Sequence, residues 1–176
     1  MPGTTANFAF PYQTDSDAPN GPLLGQQLAE AVDAAMLVRR PLVGNGALSS
    51  LYTLTNTQTD LAGTTVTINV PTSAAVYFAS WTMAGQLMTA GNITAICQLV
   101  VDTVAQTAQA IWNPGNVAAA SGSPRGGKSQ QTSGLLSGSG NHVFKLQAQR
   151  VYPTGSTGDI RLDNVHTNLS VLVIPL

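Results

Sequence analysis

From residue 47 onward, apolar side chains recur at every second position in short runs. Val66, Ile68 and Val70 alternate with Thr65, Thr67 and Asn69; Phe144, Leu146 and Ala148 alternate with Lys145, Gln147 and Gln149. Successive side chains of an extended backbone point to opposite faces, so a period of two marks a strand with one buried and one wet face. Tyr77, Ala79, Trp81 and Met83 share another such face, with Val76 and Phe78 opposite. The runs 93–101 and 108–112, and Ile160 with Leu162, supply further strands. Clusters rich in Gly, Pro, Ser and Asn at 113–116, 122–128, 138–141 and 153–159 read as turns. Short strands punctuated in this way predict a mainly β chain with a sandwich of jelly-roll type over 47–176. No helical period appears after residue 40.

The last strand breaks the alternation. Leu169, Val171 and Val173 occupy one face and Leu172 and Ile174 the other. A strand with one wet face should alternate cleanly. This strand is therefore either central and covered on both sides, or has its second face against another subunit.

Before the β domain the pattern differs. Residues 1–20 hold Pro2, Pro11 and Pro19, each of which pushes the preceding residue out of the helical region, and read as an extended arm. Phe8, Phe10 and Tyr12 lie two apart, so they share one face of that arm and are the expected anchors to a partner. Residues 21–40 read as a helix, with Asn20 as N-cap, Pro22 near its first position, and Arg39 and Arg40 at its negative end before Pro41. Leu24, Leu28, Ala31, Ala35 and Val38 follow a four-three spacing, a seam suited to a trimeric coiled coil. A helix this short is marginal alone and needs a surface to lie on, either other copies or its own β domain. Residues 41–46 read as a linker. The helix seam, with Leu172 and Ile174, fits a homotrimer.

Charge excludes partners. Only 9% of the 176 residues are charged, against about 25% in an average soluble domain. Seven basic and eight acidic residues cannot build the field that nucleic acid requires, and no run reaches the ~18 apolar residues of a membrane helix. No basic segment followed by an apolar run opens the chain, so no secretory leader is expected and the sequons at Asn92 and Asn168 carry no weight. Cys97 is the only cysteine, and its apolar surroundings make it a buried small hydrophobe. So neutral a surface, wetted by amides and hydroxyls, suits a protein that lives within a larger assembly.

Catalytic patterns are weak. Gly122-Ser-Pro-Arg-Gly-Gly127-Lys128-Ser129 satisfies the phosphate-loop formula, but no helical pattern follows it, so it reads as a Gly-rich surface loop whose Arg125 and Lys128 could touch an acidic partner or glycan. His142 and His166 lie at strand edges, and no serine sits in a nucleophile elbow. Asp102, Asp159 and Asp163 could pair as glycosidase carboxylates only if the fold brought two together. Asp15 and Asp17 suit turns better than a cation site. No enzyme activity, cofactor or metal is expected.

The segment Phe8-Ala-Phe-Pro-Tyr-Gln-Thr-Asp-Ser-Asp17-Ala-Pro-Asn20-Gly-Pro22, running into Leu28-Ala-Glu-Ala-Val32-Asp33, resembles the opening of tail-fibre and minor structural proteins of tailed bacteriophages. The stretch GLLSGSGNHVFKLQAQR and the terminal LSVLVIPL are similar to the last strands of the C1q/TNF-like jelly rolls that cap such fibres. No repeated shaft separates helix from β domain, which points to a short fibre, head fibre or decoration protein. The resemblance implies a non-catalytic homotrimer on the virion surface, made in the host cytoplasm. The arm would bind the major capsid protein or a tail protein, and the β domain would project outward. The alternative is a receptor-binding module for host-surface carbohydrate, with Trp81, Trp112 and Tyr152 as ring-stacking candidates.

Overall fold

The computed structural model describes residues 3–4, 11–12, 21–89, 91–114, 124–152 and 158–176. The two-residue strands β1 (Gly3–Thr4) and β2 (Pro11–Tyr12) pair antiparallel with each other. Residues 3–4 and 11–12 thus run antiparallel, side by side. Phe8 and Phe10 lie outside the described residues, and of Tyr12 only the backbone is described. Helix α1 spans Gly21–Arg39, within one residue of the expected limits.

The β domain follows. Its strands are β3 (Leu42–Ala47), β4 (Tyr52–Thr53), β5 (Thr59–Asp60), β6 (Val66–Val70), β7 (Ala74–Thr89), β8 (Thr94–Val101), β9 (Val104–Trp112), β10 (Arg125–Ser137), β11 (Gly140–Val151), β12 (Asp159–Leu162) and β13 (Asn168–Pro175). They form two antiparallel sheets. In the first, β7 pairs with β10 along one edge and with β13 and β12, end to end, along the other; β3 and β4 lie outside β13 and β12. In the second, β11 pairs with β6 and β5 on one edge and β8 on the other, with β9 beyond. The mainly β sandwich is as expected.

The period of two delivers the core. Tyr77, Trp81 and Met83 of β7, Leu169, Val171 and Val173 of β13, and Ile160 and Leu162 of β12 point inward from the first sheet. Cys97 and Leu99 of β8 and Phe144 and Leu146 of β11 meet them from the second. Tyr77 and Phe144 touch edge to face, centroids 5.4 Å apart. Burial pushes the Cys97 thiol up to about 12.

Two expectations are corrected. The segment 41–46 is not a linker: Leu42–Ala47 is β3, hydrogen-bonded to β13 with Val43 opposite Leu172. The Gly-rich segment is not a loop from Arg125 onward: it opens β10, paired with β7 over its whole length. The glycines explain the missed strand. A Cβ on Gly126 would lie 2.7 Å from Nε1 of Trp112, and one on Gly134 2.7 Å from Cε1 of Tyr77. Two aromatic rings fill the space over these glycines, and the positions of the same parity between them are Lys128, Gln130 and Thr132, so the strand carries almost no apolar alternation.

Two polar devices hold the sheets in place. Between the last rung of β13 (Asn168 opposite Thr82) and the first of β12 (Leu162 opposite Gly85), Ala84 has no ladder rung, and its carbonyl accepts the Asp163 N–H at 2.9 Å. The buried Thr167 hydroxyl completes the pairing, accepting from the Ala84 N–H at 3.2 Å and donating to the Ala84 carbonyl at 3.1 Å. The second device is His142. Its Nδ1 lies 2.5 Å from Asp102 Oδ2 and its Nε2 3.1 Å from the Gly138 carbonyl. Both partners are acceptors, so the pair of contacts favours the doubly protonated ring. It thereby ties the β10–β11 turn to the β8–β9 turn. In the latter, Asp102 and Thr103 both take positive φ (47° and 75°), as a tight hairpin requires. Asp102 is held there by the Val143 N–H at 2.7 Å. Burial opposes the charge on His142, but the Asp102 hydrogen bond, the Gly138 carbonyl and the Asp102 charge together raise its pKa above 6.5.

Thr167→Val should destabilise the fold by about 1–3 kcal/mol in chemical denaturation, while Thr167→Ser retains most of the stability, because only the hydroxyl matters. A raised histidine pKa gives stability that is complete below the unfolded value and lost as pH rises through the folded one. His142→Gln should therefore cost more at pH 5.5 than at pH 8.5, read as the shift in denaturation midpoint. Equal costs at both would mean a neutral imidazole.

Candidate interaction face

The two sheets differ in what they show to water. The outer face of the second sheet carries polar groups paired across neighbouring strands, beside the Ile96–Ile111 pair. Asn69 donates to Asn141 at 2.8 Å, Gln109 to Gln98 at 3.0 Å, and Lys145 and Gln147 both to Asp60 at 2.6 Å. Cross-strand partners of this kind satisfy one another in place of solvated charges.

The outer face of the first sheet is graded along its strands. At one end, Leu135, Val76 and Ile174 stand in one row across β10, β7 and β13. In the next row, Ser133, Phe78, Leu172 and Val43 stand across β10, β7, β13 and β3. Val43 is 68% exposed, Phe78 49% and Leu135 73%. Two hydroxyl and amide rows follow: Gln131, Ser80, Ser170 and Asn45, then Ser129, Thr82, Asn168 and Ala47. Ser170 donates to Asn45 at 2.8 Å, and the Thr82 and Ser129 hydroxyls bond at 2.9 Å. A groove of about 490 Å³ runs between Val43, Phe78, Leu172 and the amide row. Exposed apolar side chains grouped in this way mark a contact surface, whereas single ones do not.

The sequence-selected residues divide. Leu172 and Ile174 point out of the sandwich on this face, half-buried, while Leu169, Val171 and Val173 fill the core. The second face of β13 is thus open in the single chain. On α1, Leu24, Ala31 and Ala35 are half-buried, Leu28 is 41% exposed and Val38 40% exposed. No described helix residue is buried, so the helix does not enter the core of its own β domain. Val43, Val76, Phe78 and Leu135 were not among the selected residues. Val76 and Phe78 carry the same signal as Leu172 and Ile174, apolar residues out of phase with the core. Val43 and Leu135 lie in strands with no such signal.

The residues weighed for catalysis do not converge. Asp102 is bound to His142, Asp159 to Arg150 and Asp163 to His166. Arg150 also donates to Asn56 at 2.9 Å and lies over the Tyr152 ring, closing one end of the sandwich. Among the described residues no group of three or more His, Cys, Asp or Glu could hold a metal. Of the ring-stacking candidates, Trp81 and Trp112 are buried and Tyr152 is packed against the core.

No family model matches the chain, and no curated protein matches it. Among solved structures, it is similar to Eiger TNF from S. frugiperda, at 10% identity over 78% of this chain and 94% of the other, with a TM-score of 0.45. It is also similar to murine APRIL at pH 5.0, at 9% identity over 76% of this chain and 98% of the other, with a TM-score of 0.41. Likenesses this distant carry no functional conclusion; the description of the sandwich rests on the chain's own strand order and register.

Proposed function

We propose that the chain is a non-catalytic structural protein that assembles as a homotrimer on the surface of a bacteriophage virion. In this reading it is a short fibre or decoration protein, anchored to capsid or tail by residues 1–20, with the β domain outward. The apolar end of the first sheet's outer face carries the self-association. Its charge-free rows of Leu135, Val76 and Ile174, and of Phe78, Leu172 and Val43, suit other copies of the same surface. A charged partner would find nothing to pair with there. Continuity adds support: α1 ends at Arg39 and β3 brings Val43 onto this face four residues later, so the Leu24–Val38 seam and the sheet face can be covered together. The virion setting rests on the phage-like opening of the sequence and on the neutral surface.

Sedimentation of the full chain should give a trimer. Leu172→Asp combined with Phe78→Ser should weaken association by about a hundredfold or more, roughly 2.7 kcal/mol, because assembly would bury unpaired carboxylates. A wild-type chain that stays monomeric at micromolar concentration, or a double variant that still assembles, would refute the assigned face. Removing residues 1–20 should leave the denaturation curve of the β domain in place and abolish incorporation into particles; normal incorporation would refute the anchoring role.

A further inference from the structure

At the opposite end of the same face, Arg125 of β10, Gln86 of β7 and Arg161 of β12 are direct cross-strand neighbours. All three point away from the core, since Gly85, Ile160 and Leu162 between them point inward. Strands lie about 4.8 Å apart, so the two arginine backbones are about 10 Å apart and their long side chains can converge over Gln86. The next row is Gly127 opposite Ala84, which leaves a floor almost without side chains. The result is a groove of about 400 Å³ walled by Arg125, Arg161, Leu51, Asp163 and His166.

The charges here are unbalanced. Within the β domain, Asp60, Asp102, Asp159 and Asp163 each pair with Lys145, His142, Arg150 and His166 respectively. Among the described residues no carboxylate lies within salt-bridge distance of Arg125 or Arg161. Asp163 faces the groove already ionised, chiefly through the Val165 N–H, with His166 and the charge of Arg125 adding to it. Two forked donors flanking Gln86 thus call for an oxyanion, which guanidinium groups bind in a bidentate manner. The Asp163 carboxylate in the adjoining row calls for hydroxyl donors. The room exceeds that of a bare ion and falls within the range of small-molecule sites.

We propose that this groove binds an acidic sugar unit, its carboxylate or sulfate held between Arg125 and Arg161 and its ring hydroxyls donating to Asp163. The site does not depend on the self-association reading. Gln86 lies eight residues along β7 from Phe78, about 26 Å, so covering the apolar rows leaves the groove open.

Titration of the full chain with glucuronate, glucose and inorganic sulfate, followed by calorimetry, tests this. Glucuronate should bind saturably and at least tenfold more tightly than glucose, and sulfate should compete with it. Arg125→Gln and Arg161→Gln should each weaken glucuronate at least tenfold, with Arg125→Lys between. Lys128→Gln removes the same charge from the other face of β10 and should change nothing. Asp163→Asn should weaken glucuronate but not sulfate. Unchanged binding in the arginine variants, or an equal loss with Lys128→Gln, would overturn the site. Binding of sulfate without glucuronate would mean an adventitious ion only, and would overturn the sugar. Melting temperatures and sedimentation of each variant separate loss of the site from loss of fold or assembly.

Discussion

β7 runs for sixteen residues between two sets of partners, β10 along Ala74–Gln86 on one edge and β13 and then β12 along most of the other. That double pairing is the constraint from which the rest follows. A slip of one residue would turn Tyr77, Trp81 and Met83 out to water and Phe78, Ser80 and Thr82 into the core. Core packing therefore dictates register, and register dictates which side chains stand together outside. The gap between β12 and β13 is the weak point of this arrangement. There the buried Thr167 hydroxyl takes up the Ala84 N–H, while the Ala84 carbonyl also accepts the Asp163 N–H. An unpaired backbone group at that depth would cost as much as a lost hydrogen bond.

The low charge of the chain acquires a structural meaning from the same registers. The outer faces are wetted by pairs of uncharged side chains set directly opposite one another, such as Asn69 with Asn141, Gln98 with Gln109 and Ser170 with Asn45. Few charges are required where such amides and hydroxyls find their partners on the next strand. The charges that remain do specific work. Arg150 with Asp159, and His142 with Asp102, fasten turns and ends of the sandwich.

The two functional proposals occupy opposite ends of one sheet face, and their chemistry separates them. Apolar rows favour contact with identical apolar rows, since burial of such surface is driven by water and asks only for shape. The arginine row asks for a ligand that brings negative charge. A trimer built on the first would display three copies of the second. Multivalent presentation of a weak site would then raise its effective affinity.

Much was legible from the sequence because it depends on neighbours along the chain. Period-two runs identified the inward faces of β6, β7, β11 and β13, the capping and proline signals set α1 to within a residue, and the out-of-phase Leu172 and Ile174 marked the open side of the last strand. The strands β3 and β10 were not legible. Inward positions of β3 include Gly44 and Gly46, and those of β10 include Gly126 and Gly134 with the polar Lys128, Gln130 and Thr132 between them, so neither strand shows an apolar alternation to read. The composition of the outer face was not legible either. Val43, Phe78, Leu135 and Leu172 come from four strands, as do the groove-forming Arg125, Gln86 and Arg161 from three, and only the register between strands makes them neighbours. Backbone geometry sets the period of a strand locally, whereas register is settled by closing loops and filling a core, which are properties of the whole chain. The residues themselves thus decided that this is a neutral, mainly β protein with a helix before it; the tertiary structure alone decided which of its surfaces can hold a partner.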